Sequence, residues 1–151
     1  MLAVIQRVTE ASVTVDNKIT GEIEKGLFVL VGVENGDSEF DADILAKKTA
    51  ALRIFEDENE KLNLSVTDVG GKVLSVSQFT LCADTKKGNR PSFTGAMEPV
   101  SANELYELYS NKLLEYGMSA VEKGVFRADM LCKIYNDGPV TIILDTKTWR
   151  K

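Results

Sequence analysis

Lys72-Val73-Leu74-Ser75-Val76-Ser77-Gln78-Phe79-Thr80-Leu81 is an apolar run of strand length that ends in a cluster of hydroxyl and amide side chains. The β-branched and aliphatic residues from Val73 to Val76 read as a buried β-strand. Such a strand is rigid and delivers Ser77, Gln78 and Thr80 to a fixed place, where side chains and backbone N–H groups can be aimed at a bound molecule. The chain around it contains no histidine. Nucleophile pairs of the Ser-His and Cys-His kinds are therefore excluded, and any hydrolysis must use backbone donors, hydroxyls and groups of the substrate itself. Taken alone, hydroxyls at a strand end bond locally more often than they catalyse. The functional reading rests on their density around one Phe, with Gln78 and the amides of Phe79 and Thr80 facing a carbonyl that becomes an oxyanion.

Outward from this stretch, Val4–Val8 and Ser12–Val15 read as β-branched strands, with a turn at Asp16-Asn17-Lys18 and a return strand through Ile23. Leu27–Val33 reads as a buried strand. Ser38 caps a predicted helix over Glu39–Leu52, with Phe40, Ile44, Leu45, Ala51 and Leu52 as its apolar face and acids ahead of bases, as the helix dipole favours. Gly70-Gly71 turns the chain into the strand that ends at Ser77, and Ala83–Pro99 is loop-like. Ser101 and Glu104 form a capping box for a second helix to about Tyr116, with Leu105, Leu108, Tyr109, Leu113 and Tyr116 inward. Two last strands, about Ala128–Tyr135 and Val140–Asp145, are joined by Asn136-Asp137-Gly138-Pro139, ordinarily hairpin-turn residues. Strands outnumber helices, so the pattern predicts a mixed, β-rich α/β fold, barrel-like or sandwich-like, with two helices packed outside. Residues 1–151 read as a single domain with a basic tail at 145–151.

Apolar residues make up 44% and charged residues 27% of the 151, a globular composition. Cys82 and Cys132 read as reduced thiols. The start lacks a basic segment followed by a long apolar core, and Leu27–Val33 is too short to span a bilayer, so a cytoplasmic protein is expected. The net charge of −5 works against non-specific nucleic-acid binding. The charge is uneven: residues 1–81 carry 8 Lys/Arg against 14 Asp/Glu, and residues 82–151 carry 10 against 9. Lys86, Lys87 and Arg90 cluster in one loop, and Lys147, Arg150 and Lys151 in the tail. Charge alone favours a solvated loop and tail, although a basic lip on an acidic body can seat a short nucleic-acid end. No metal or cofactor is expected, since there is no histidine, the two cysteines lie far apart, Glu56–Glu60 lacks a calcium loop's glycine, and no Gly-rich phosphate loop is present.

Taken together, Ser77-Gln78-Phe79-Thr80-Leu81 and Asn136-Asp137-Gly138-Pro139-Val140-Thr141 resemble the two signature motifs of the D-aminoacyl-tRNA deacylases. Ile5-Gln6-Arg7-Val8, Ala11-Ser12-Val13, Arg90-Pro91-Ser92-Phe93 and Phe126-Arg127-Ala128-Asp129-Met130 look like that family too, and the resemblance runs from Met1 to about Leu144. It implies a homodimer with active sites at the subunit interface that hydrolyses the ester between a D-amino acid and tRNA, in the barrel-like fold of that family. It implies Thr80 at the reaction centre, lined by Ser77, Gln78 and Phe79. It implies a cis Gly138-Pro139 dipeptide entering the partner's site as the reader of chirality, with Met130 near that contact and Arg7 supporting the Gly-Pro carbonyls. Lys86, Lys87 and Arg90 are our own candidates for the tRNA end.

An aminoacyl ester is already reactive, so oxyanion stabilisation and a placed water suffice, and the adjacent 2′-hydroxyl of the terminal adenosine substitutes for the missing base. Thr80 is either the nucleophile or a group that positions water; the residues leave both open and favour positioning, because an unassisted threonine hydroxyl is a poor nucleophile. Rejection of L side chains by rigid carbonyls leaves glycine unrejected, so glycyl-tRNA cleavage, including glycine mischarged on tRNA(Ala), is expected. Two other readings compete: a non-catalytic RNA-end or small-metabolite binding module, and an ordinary esterase that cleaves small esters.

Overall fold

Val4–Val8 and Ser12–Val15 prove to be one 14-residue strand, β1 (Leu2–Val15), in the computed structural model, which describes residues 1–150. Asp16 and Asn17 take left-handed φ values of 49° and 62°, which a two-residue hairpin turn requires, and the chain returns as β2 (Lys18–Ile23). The first half of β1 pairs antiparallel with β3 (Gly26–Gly32) and the second half with β2. Beyond β3, the strand β6 (Lys72–Ser77) runs parallel to it, and β7 (Val121–Lys123) runs parallel to β6. β4 (Phe55–Glu56) and β5 (Leu62–Leu64) form a small separate ribbon. The main sheet, in the order β2-β1-β3-β6-β7, curls until its ends nearly meet. A Cβ on Gly21 of β2 would lie 2.7 Å from the Lys123 carbonyl oxygen of β7, so this close approach depends on glycine. The architecture is thus a mixed α/β fold with a nearly closed, barrel-like sheet and two flanking α-helices, as the pattern of elements led us to expect.

Alternation along the central strands divides the apolar interior in two. Phe28, Leu74 and Val76 point into the barrel with Val8, Ala11, Val13 and Ile23. Leu27, Val29, Val31 and Val73 point the other way and meet the helices. A strand buried on both faces must be apolar throughout, which is why Leu27–Val31 shows no alternation. The helices α1 (Glu39–Ala51) and α2 (Pro99–Glu115) pack on one another and on this outer face. Tyr109 donates to the Thr49 hydroxyl at 3.2 Å, and Tyr106 donates to the Ser75 carbonyl at 2.7 Å.

Three local expectations change. The buried face of α1 is Asp41, Ala42, Leu45, Ala46, Thr49 and Ala50, whereas Phe40 is 58% exposed. Hydrophobicity misled here because Asp41 is drawn inward by hydrogen bonds from Thr146 and Arg150, which turns the helix relative to its apolar residues. Helix α2 begins two residues ahead of Ser101: Glu98 is its cap, accepting from Val100 N at 3.0 Å and Ser101 N at 2.7 Å, and Pro99 occupies the first turn. Most consequentially, Asn136–Pro139 is no hairpin turn. Leu131–Asp145 is a single strand, β8, antiparallel to β1 along almost its whole length.

Candidate active site

β6 is flanked by parallel neighbours on both sides and ends where its last residue, Ser77, lies opposite Val31. Gln78 N still donates to the Val31 carbonyl at 2.7 Å, and the chain then tightens into a 3-10 turn over Phe79–Cys82. The motif is therefore held by the sheet at its start and by the turn at its end. The carbonyls of Gln78 and Thr80 accept from Leu81 N and Ala83 N within the turn. The N–H groups of Phe79 and Thr80 open it, and the opening donors of a helical turn have no partner inside it. Gln78 Nε2 donates to the Thr80 hydroxyl, so these two side chains orient one another. Behind them, burial and the nearby Glu34 and Asp37 push the Cys82 thiol up to about 11, leaving it protonated and inert at neutral pH.

Ser77, Gln78, Phe79 and Met130 line one cavity of about 590 Å³, so the structure brings four of the named residues together. Phe93, Met97, Glu98 and Phe126 complete its walls. Phe93 meets Phe79 edge-on with ring centroids 5.1 Å apart. Glu98 is the nearest candidate for a base, but its carboxylate is occupied as the α2 cap. Hydrogen bonds from the Ser101 side chain and from the backbone N–H groups of Ser101 and Val100 hold it below the usual carboxylate range. It therefore takes up a proton poorly. Thr80 is exposed at the end of the motif. A larger cleft of about 760 Å³ lies elsewhere, but Glu10, Glu22 and Glu24 offset Lys25, Lys72 and Lys133 there, and although Ala11 and Ser12 line it, no residue of Ser77–Leu81 or Asn136–Thr141 does.

Gly138 and Pro139 lie outside the cavity. In the β8–β1 ladder Asn136 pairs with Val8 and Thr141 with Gln6, so residues 137–140 are looped out opposite Arg7 alone. The Gly138–Pro139 peptide bond is cis, and both residues are exposed. Gly138 has φ +135°, a region closed to other residues. Asn136 staples the base of the projection, its Oδ1 accepting from Val140 N at 2.8 Å and its Nδ2 donating to the Thr141 hydroxyl at 3.0 Å. Arg7, 6% exposed, donates from Nε to the Asp137 carbonyl and from Nη1 to the Ile54 carbonyl, both at 2.9 Å. The carbonyl it holds is thus the one immediately before Gly138.

Lys86, Lys87 and Arg90 are exposed in a hairpin closed by the Asp84–Ser92 pair, and Phe93 follows that hairpin directly into the cavity wall. Among the described residues none of the three is in an ion pair, nor do three or more Cys, Asp or Glu side chains gather as a metal set would. No helix among them is long and apolar enough to cross a membrane. Sequence reading missed Met97 and Glu98 as wall residues and Asn136 as the staple. The one available signal was Asn136 beside a Gly-Pro pair, since Asn side chains bond nearby backbone.

The sequence matches, over residues 4–145, the family described as D-Tyr-tRNA(Tyr) deacylase. It is 57% identical over 147 residues to a D-aminoacyl-tRNA deacylase of Koribacter versatilis (strain Ellin345), covering 97% of this chain and 98% of that one. It is 56% identical, with the same coverage, to a D-aminoacyl-tRNA deacylase of Anaeromyxobacter dehalogenans (strain 2CP-C). A solved structure described as c-Myc DNA Unwinding Element Binding Protein superposes with a TM-score of 0.90 at 41% identity, covering 96% of this chain and 98% of that one. A probable eukaryotic D-amino acid tRNA deacylase superposes at 0.78 over 95% and 97% of the two chains, and at 14% identity that likeness concerns the fold alone.

Proposed function

The chain belongs to the D-Tyr-tRNA(Tyr) deacylase family, whose relatives named above are D-aminoacyl-tRNA deacylases, and from that premise we propose how it cleaves the ester between a D-amino acid and tRNA. The protein is an ester hydrolase of D-aminoacyl-tRNA. The aminoacyl end occupies the Ser77–Phe79–Met130 cavity, and the N–H groups of Phe79 and Thr80, with Gln78, polarise the ester carbonyl and receive the oxyanion. Thr80, its hydroxyl oriented by Gln78, positions the attacking water. As the acyl carbon–O3′ bond breaks, the 2′-hydroxyl beside the ester takes the proton of the attacking water and passes its own to the departing 3′-oxygen, so the step needs no protein base. The exposed Lys86, Lys87 and Arg90 meet the phosphates of the tRNA end.

Chiral proofreading follows from pairing two copies of the whole 1–151 unit. Each protomer's Gly138–Pro139 projection enters the other's cavity, and its carbonyls leave no room for an L side chain. Glycine, lacking a side chain, passes this filter, so glycyl-tRNA(Ala) is cleaved as well. The observation that carries the reading is that Ser77, Gln78, Phe79 and Met130 share one cavity, while Gly138–Pro139, anchored through Arg7, is exposed outside it. Ile143, 72% exposed on the same β8 edge, supplies apolar surface for self-association. The protein works where charged tRNA is found, in the cytoplasm. The relative described as a DNA-element binding protein favours a second reading, nucleic-acid binding without turnover.

The test is deacylation of D-tyrosyl-, L-tyrosyl- and glycyl-tRNA by the purified protein with EDTA present. Loss of the D and glycyl esters with the L ester intact is the expected result. Binding of tRNA without turnover of any ester would leave the second reading standing and remove the first.

A further inference from the structure

The basic tail and the acidic start of α1, both unused by the reaction above, meet behind the cavity. Arg150 Nη2 lies 2.6 Å from Asp37 and 2.7 Å from Asp41, whose side chains are buried, and Lys147 Nζ lies 2.9 Å from Glu34. Asp37 also receives the Met1 amino group at 2.7 Å, and its other oxygen accepts the Glu34 N–H at 2.6 Å. Residues 34–37 are thereby closed into a turn around one buried carboxylate. From that turn Asn35 reaches across to the loop between the 3-10 turn and α2. Its backbone N–H donates to Gly95 O and its Nδ2 to Thr94 O, both at 2.9 Å. Glu34 pairs with Ala96 on one side, and Met97 N donates to Val33 O at 3.0 Å on the other.

The segment so held is the wall of the cavity. Phe93 immediately precedes Thr94 and touches Phe79, and Met97 and Glu98 lie on the same lining. Within the loop itself the backbone pairings are Asp84–Ser92, Gly88 N to Thr85 O and Ala96 N to Phe93 O, none of which reaches the Gln78–Thr80 turn. Its register against the Gln78–Thr80 turn is therefore set from residues 33–35. We propose that Asn35 is a positioning residue of the deacylation site: it holds the Phe93–Met97 wall against the motif, and Arg150, through Asp37, holds Asn35's own turn in place. This rests on the deacylase reading above. The wall contacts bound substrate before and during reaction alike, so loosening it weakens ground-state and transition-state binding equally, which raises KM and spares kcat.

Asn35 is exposed, so Asn35→Ala removes the bond to Thr94 without opening a cavity. Loss of one uncharged hydrogen bond corresponds to a factor of about threefold to tenfold. The variant is expected to raise KM for D-tyrosyl-tRNA by about that factor at unchanged kcat, and to speed tryptic nicking after Lys86 and Lys87 to a similar degree, with Tm lowered by no more than about 6 °C. Arg150→Gln gives a smaller rise in KM, because Asp37 keeps the Met1 amino group, and Arg150→Lys restores it. Combined with Asn35→Ala, Arg150→Gln adds less than its separate effect, since both act on one wall. Normal KM and nicking in Asn35→Ala would overturn the proposal, and so would a change confined to Tm or kcat. Absence of turnover in the wild-type protein is a different failure, that of the deacylase reading itself.

Discussion

Replacing Arg7 by lysine separates the two kinds of partner that its guanidinium has. Arg7 is 6% exposed and reaches two main-chain carbonyls, Asp137 through Nε and Ile54 through Nη1, each at 2.9 Å. It also lies 3.8 Å from the Asp137 carboxylate and 3.9 Å from that of Glu56, both more than half exposed. Exposed ion pairs at such distances contribute at most about 1 kcal/mol, whereas a hydrogen bond from a charged donor contributes about 1.5–3 kcal/mol. The carbonyls therefore dominate. A lysine keeps the positive charge but is a point donor on a flexible stem, and it cannot span two carbonyls held by different elements. Arg7→Lys should lower stability by about 1.5–3 kcal/mol, a fall in Tm of about 3–12 °C for a domain of this size. With the Asp137 carbonyl released, the Gly138–Pro139 projection loses its anchor, and cleavage of L-tyrosyl-tRNA should rise relative to the D ester. Asp137→Asn keeps the carbonyl and discards only the carboxylate, so it should change stability by at most about 1 kcal/mol and leave selectivity intact. Urea melts alongside D- and L-tyrosyl-tRNA deacylation make the comparison. Equal effects of Arg7→Lys and Asp137→Asn, or a neutral Arg7→Lys, would refute the argument.

Gly138→Ala should abolish discrimination or activity with the fold retained: φ is +135°, and a Cβ would lie 2.8 Å from Val140 Cγ2 and 3.1 Å from Arg7 Nη2. The cost of about 1–3 kcal/mol falls on an exposed projection, so circular dichroism should be unchanged while D-tyrosyl-tRNA turnover drops. If Thr80 positions water, Thr80→Ser keeps most of the turnover and Thr80→Val loses about 100-fold in kcat; equal loss in both would favour a different role for the hydroxyl. Burial pushes the Asp41 carboxyl up, but hydrogen bonds from Thr146, Arg150 and Ser38 outweigh it and hold the group well below the usual carboxylate range. A carboxyl with a depressed folded-state pKa stabilises above its unfolded value, about 3.9, and loses that stabilisation as pH falls through the folded one. Acid titration of stability should accordingly be shallower in Asp41→Asn than in the wild type below about pH 4, and identical slopes would contradict the Asp41 network.

Much of this molecule was legible residue by residue. The unbroken apolar run at Leu27–Val33 announced a buried strand, Asp16-Asn17-Lys18 announced a turn, and the polar cluster after Val76 marked a rigid strand end that proved to line a cavity. These are local matters, decided by side-chain size, branching and backbone freedom within a few residues. The absence of histidine likewise limits the chemistry whatever the fold. Tertiary structure decided whatever depended on a partner distant in sequence. Phe40 faces solvent because Asp41 is claimed by Thr146 and Arg150, more than a hundred residues away. Asn136–Pro139 has the composition of a hairpin turn, yet β1 is long enough to pair on both sides of it, and so the turn residues became a projection within one strand. Phe93 and Met97 carry no local mark of a cavity wall; they line one because the loop ahead of α2 is tied back to residues 33–35. Periodicity and turn chemistry describe what a segment prefers by itself, while register, burial of charge and the shape of a cavity arise only when segments compete for the same neighbours.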